Sequence, residues 1–268
     1  MRKLFEKIKV HYPAALVHAV PLALPLIFLV IFAVASFFLR GSMLHSVIHH
    51  VDTDTFMDYF NMLYNVKHGD PYYANANYPA INFLILKILL HFAPLAARPT
   101  TGSPGEQAWV MRESMPMLLP FIVFVLICLL VIAFCIRKMV AERSRAQQNL
   151  IVASALLSAP MLFLLERGNL LILALALLFV FVAYGKSENP YVRYLSCAAL
   201  ALSAAMKLYP AVFVLLLLRR KQYREFVFTA VLGTILLIWP FFLWGGLLNQ
   251  ENARRDFHIC RDGLGFGD

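Results

Sequence analysis

The chain has 268 residues, 61% of them apolar, with a mean hydropathy of +0.71 and a formal net charge of +9. A soluble domain of ordinary composition, with about half its residues apolar, is excluded. So is a nucleic-acid-binding role for the charge, because the basic residues fall in short segments between apolar runs, as cytoplasmic loops do.

Arg2, Lys3, Lys7 and Lys9 precede an apolar run at 17–39. The run is longer than the roughly 7 to 15 residues of a cleaved signal's apolar region, so it predicts an uncleaved signal-anchor. An outer loop at 40–80 follows. Within it, Asp54, Asp58, Asn61 and Asn65 recur at helical spacing opposite Phe56, Phe60, Leu63 and Tyr64. That pattern predicts an amphipathic helix lying at the membrane interface, begun by Asp54 and ended by the turn Gly69-Asp70-Pro71.

The run at 81–95 carries Lys87 and His91 and is short; it either spans or dips in from one surface. Stronger runs lie at 117–136, 150–165, 170–184, 195–218 and 226–244. At about 20 residues per span, roughly six to eight spans fit. Proline ends a helix and a lysine at mid-run is expensive in lipid, so Lys207-Leu-Tyr-Pro210 divides 195–218 into two half-helices. With 81–95 re-entrant, the basic groups at 2–9, 137–145, 186–193 and 219–224 all lie in the cytoplasm, as the positive-inside bias requires. Glu166, Arg167, Lys207 and the loop at 40–78 then share the outer face. The fold class is an all-α integral membrane protein, a polytopic bundle. Cys128, Cys135, Cys197 and Cys260 form no CxxC pair and imply neither zinc nor a disulfide framework.

Five charged residues stand where the bilayer should reject them. Asp54 serves as an N-cap or as more; Asp58, one turn on, is a solvated face or a general base. Glu166-Arg167-Gly168-Asn169 makes a tight hairpin, but a hairpin alone does not require Glu-Arg. Lys207 needs an anion, either Glu166 or a lipid phosphate.

In this order the motifs resemble those of glycosyltransferase family 87 and its mannosyltransferase-like relatives, membrane enzymes of the GT-C type that use polyprenyl-phosphate sugars. The matching residues are the acidic loop from Asp54 to Asn61, then His68-Gly-Asp-Pro-Tyr72 and Tyr78-Pro79, then Glu166-Arg167-Gly168-Asn169, and last Lys207-Leu208-Tyr209-Pro210 before Arg219-Arg220-Lys221.

The resemblance implies a GT-C-like module over 1–248 that inverts configuration, with a loop aspartate as base. The distance to Tyr72 points to Asp54 before Asp58. By analogy Arg167 and Lys207 bind the donor phosphate, Glu166 orients one of them, and Asn61, Tyr78, Asn169 and Tyr209 support the site. No cofactor and no obligatory metal are expected. The partners would be the lipid-linked sugar, a glycolipid or glycan acceptor and the bilayer, at a bacterial inner membrane with the N-terminus in the cytoplasm and the site outside.

Two departures stand out. Tyr78-Pro79-Ala80 replaces the usual Tyr-Pro-Pro, and a polar tail at 249–268 stands where relatives continue with further spans. The tail implies a minimal relative or a protein partner that completes the C-terminal half. A non-catalytic subunit or remnant of a polysaccharide-assembly system is the alternative; a transporter fits less well, since the Lys207 pattern has no inverted repeat.

Overall fold

A computed structural model describes residues 54–67, 78–91 and 104–243, together with Ile27, Val30, Ile31, Val34 and Phe38. Those five, from the first apolar run, are helical and exposed. The rest of that run, the His68–Tyr72 motif and the tail after Leu243 lie outside the described residues, as does Cys260.

The described chain is helical throughout, without strands. In order come α1 (Met57–Lys67), α2 (Ala80–His91), α3 (Pro104–Glu113), α4 (Met115–Met139), α5 (Arg145–Leu156), α6 (Ala159–Arg167), α7 (Leu171–Tyr184), α8 (Pro190–Met206), a 3-10 helix (Tyr209–Val214), α9 (Leu215–Arg219) and α10 (Tyr223–Leu243).

Among the described residues two helices are long and apolar enough to cross a membrane, α4 with 25 residues and α10 with 21. At 1.5 Å per residue each exceeds about 30 Å, the thickness of the hydrocarbon layer. Both turn apolar side chains outward, Leu126 and Leu130 on α4, Val231 and Ile235 on α10. Such faces are stable against lipid and costly against water. The protein is therefore a helical membrane protein.

The count of six to eight spans is not reached among the described residues. The run at 150–165 is two helices, α5 and α6, bent by 51°. Its cause is local: Pro160 sits in the first turn of α6, where its missing N–H costs nothing but where it cannot continue α5, and the Ser158 hydroxyl turns back to donate to the Ala155 carbonyl. Counted as one broken span, the pair brings the total to three. α2 has 12 residues, about 18 Å, too short to cross by itself.

The break expected at Lys207 is present. α8 ends at Met206, Lys207 is extended (φ −150°, ψ 130°), and the chain resumes as a 3-10 helix with Pro210 in its first turn.

α7 packs between α4 and α8, and α8 packs in turn on α10. Arg193 and the buried Glu225 pair at 2.7 Å across the α8–α10 seam. α1 keeps the polar side the spacing predicts, with Asn61 exposed and Asp58 and Asn65 half-buried, but its buried side is wider than that of an interfacial helix. Met57, Tyr59, Phe60, Met62, Leu63 and Val66 are all buried, because α2, α3 and α4 close around it. Phe121 of α4 is the hub, its ring 4.6 Å from that of Tyr59 and 5.1 Å from that of Phe56.

Candidate active site

The acidic stretch before α1 and the hairpin after α6 form one unit. α6 ends on Gly168 in the left-handed conformation (φ 66°), with Gly168 N–H donating to the Leu165 carbonyl and Asn169 N–H to that of Leu164. Opposite, Phe56 also has positive φ (63°), which a bulky residue adopts only under constraint. The constraint is visible. Phe56 N–H donates to the Glu166 carbonyl at 2.8 Å. A Cβ on Gly168 would stand 2.8 Å from the Phe56 Cα, so this approach requires glycine. On the other side Arg112 of α3 donates to the Thr55 carbonyl at 3.2 Å.

This interlock brings the charged side chains together. Arg167 donates through Nη1 to Asp54 Oδ2 and through Nη2 to Asp58 Oδ1, the latter at 2.6 Å. Asn169 Nδ2 holds the other Asp58 oxygen at 2.9 Å, and its own Oδ1 accepts the Leu171 N–H at 2.9 Å. One guanidinium thus lies between two carboxylates more than a hundred residues away in sequence. Their side chains remain partly open, 33% exposed for Asp54 and 18% for Asp58.

Lys207 joins from the end of α8. Its Nζ lies 4.7 Å from the centre of the Tyr78 ring, a cation–π contact. Burial pushes the Tyr78 phenol above its ordinary value of 10.0 and the Asp58 charge adds to this, while a hydrogen bond to Asn169 and the Arg167 charge act the other way. The ring therefore links Lys207 to the acidic cluster. Asn82, buried on α2, donates to the Met206 carbonyl at 3.1 Å and fixes the backbone just ahead of Lys207.

Of the other residues singled out in the sequence, Glu166 meets the loop through its main-chain carbonyl, and Asn61 stays exposed on α1. Tyr209 lines a cleft of about 720 Å3 that opens beside the cluster. Asp58, Arg167 and Asn169 are charged or polar residues of its lining, with Ser158, and Met161, Phe163, Leu164 and Phe179 supply apolar wall. The site accommodates a molecule with a charged head and a hydrocarbon body.

Sequence reasoning passed over Arg112 and Asn82. Asn82 carries a readable signal, a lone carboxamide inside an apolar run; Arg112 lies in the last turn of a short helix whose sequence shows no apolar pattern.

The family model described as glycosyltransferase family 87 matches residues 88–258. The matched stretch contains Glu166, Arg167, Asn169, Lys207 and Tyr209 and begins after Asp54, Asp58, Asn61 and Tyr78. No curated protein and no solved structure matches the chain.

Proposed function

The chain belongs to glycosyltransferase family 87, and from that premise we propose that it transfers a mannose-like hexose or a pentose from a polyprenyl-phosphate donor to a lipid-linked or polysaccharide acceptor. The site faces outward from a bacterial inner membrane, and the N-terminus lies in the cytoplasm. The observation that carries the reading is Arg167 held between Asp54 and Asp58, with Asp58, Arg167 and Asn169 lining an otherwise largely apolar cleft. A sugar phosphate on a hydrocarbon chain has that same division.

The reaction is an inverting displacement. Asp54, with Asp58 as the second choice, takes the proton of the acceptor hydroxyl. That oxygen bonds to the anomeric carbon as the bond from carbon to phosphate oxygen breaks, through an oxocarbenium-like state. The electron pair leaves on polyprenyl phosphate. Arg167 and Lys207 offset the charge that builds there. Tyr78 and Asn169 hold these groups in place, and Tyr209 borders the cleft. No metal is required, because two cations of the chain serve the phosphate.

Reconstitution with a polyprenyl-phosphate sugar and candidate acceptors tests the reading. Asp54→Asn is expected to lower transfer by roughly 10²- to 10⁴-fold, the usual worth of a positioned base. Loss in none of Asp54→Asn, Asp58→Asn and Lys207→Ala sinks the assignment and favours a non-catalytic subunit.

A further inference from the structure

Resting on the reading above, we infer that Tyr209 receives the transferred sugar, its ring against the C–H face of the sugar and its phenol against one of the sugar hydroxyls. The cleft leaves this one hydrogen-bonding side chain of its lining uncommitted. Asp58, Arg167 and Asn169 are bonded to one another, and Asn169 spends its own oxygen on the Leu171 N–H. Ser158 donates to the Ala155 carbonyl. The Tyr209 phenol makes no hydrogen bond among the described residues, and the residue is 55% exposed.

Tyr209 also has a separate origin. The other lining residues fall between Asp58 and Phe179 in sequence, so Tyr209 alone among them comes from the chain beyond α7. The break after α8 delivers it. Asn82 holds the Met206 carbonyl at 3.1 Å, Lys207 is extended, and the chain leaves the α8 axis for the 3-10 helix, whose second residue is the buried Pro210. Tyr209 therefore stands on a backbone held on both sides of it, with its side chain open.

The chemistry of the donor selects the sugar as the part that fits this residue. A hydrocarbon chain needs only apolar wall, which Met161, Leu164 and Leu175 supply, and a phosphate needs charge, which Arg167 supplies. A sugar ring carries C–H groups on its face and hydroxyls around its rim, so it needs an apolar surface with a polar handle. Phe163 and Phe179 offer the surface without the handle. Tyrosine has both, and its hydroxyl donates and accepts. A tyrosine serving only to anchor the chain at the membrane boundary would be indifferent to the sugar, and the two roles separate on that point.

The probes are polyprenyl-phosphate mannose, a polyprenyl-phosphate pentose and bare polyprenyl phosphate, each titrated into full-length protein in nanodiscs, with thermal midpoints as a check on folding. Wild-type protein should bind at least one of the sugar-bearing probes. Tyr209→Phe keeps the ring and should weaken binding of that probe by about two- to tenfold, the worth of one neutral hydrogen bond. Tyr209→Ala removes the ring as well and should weaken it further, by roughly tenfold or more in all. Neither variant should change the affinity for bare polyprenyl phosphate. Equal weakening for sugar-bearing and bare probes would make Tyr209 a wall for the lipid phosphate, and no weakening at all would make it an anchor; either result overturns the inference and leaves the donor reading standing. Wild-type protein that binds neither sugar-bearing probe undoes the donor reading itself.

Discussion

Gly168 and Phe56 lie back to back, both in the left-handed region, with the space for a Gly168 Cβ already taken by the Phe56 Cα at 2.8 Å. The contact is main chain against main chain, so no side-chain adjustment relieves it. Gly168→Ala should cost about 1–3 kcal/mol from backbone conformation alone, with the clash added. It should also separate Arg167 from the loop acids. A lowered thermal midpoint together with reduced transfer is the expected outcome; wild-type values for both would mean that the interlock does not hold the site.

Tyr78 offers Lys207 a ring and not a charge. Tyr78→Phe keeps the ring and should retain most of the donor affinity, whereas Tyr78→Ala should weaken it by about 0.5–2 kcal/mol, the range for a cation–π contact. The raised phenol pKa has a definite sign: the proton is held to a higher pH than in a free tyrosine. Any alkaline decline in activity below about pH 10, the ordinary value for tyrosine, should therefore be unchanged in Tyr78→Phe. Displacement of that limb would assign it to the phenol.

Asn82→Ala leaves the Met206 carbonyl without its buried donor, a loss of about 1–3 kcal/mol. Because that carbonyl sits just before Lys207, the damage should extend beyond stability. The expected signature is a KM for donor that rises more than kcat falls, measured at a temperature where the variant is fully folded. A change in thermal midpoint alone would limit Asn82 to a structural part.

The end of α4, the loop after it and the start of α5 carry Arg137, Lys138, Arg143 and Arg145. A cysteine placed there as Arg143→Cys, in a background lacking the four native cysteines, should resist membrane-impermeant maleimide in intact cells and react after permeabilisation. Labelling from outside would refute the cytoplasmic placement and with it the re-entrant reading of 81–95.

Much of the site was legible as misfit. Asp54, Asp58, Arg167 and Lys207 were conspicuous because a bilayer penalises charge, and that penalty is local enough to read along a chain. Their pairing was not legible. Arg167 meets Asp58 across 109 intervening steps of sequence, and no periodicity reports a contact at that range. The partner of Lys207 was sought among anions, yet an aromatic face holds it; a cation–π contact leaves no mark in spacing. The helix breaks at Pro160 and Lys207 differ in the same way. At Lys207 a charge accompanied the proline and drew notice, whereas Pro160 lies among apolar residues, and the bend there was missed. For α1 the alternation identified apolar and polar sides, but Tyr59 and Met62 are buried by neighbours from elsewhere in the chain.

The two carboxylates and two cations of the site sum to zero. A sugar joined to a polyprenyl phosphodiester brings one negative charge, and a hydroxyl acceptor brings none. As the proton passes to an aspartate and the phosphate takes up the bond pair, charge moves within the site but its total stays the same. The chemistry therefore leaves the net charge of the site unchanged and requires no counter-ion to enter with the acceptor.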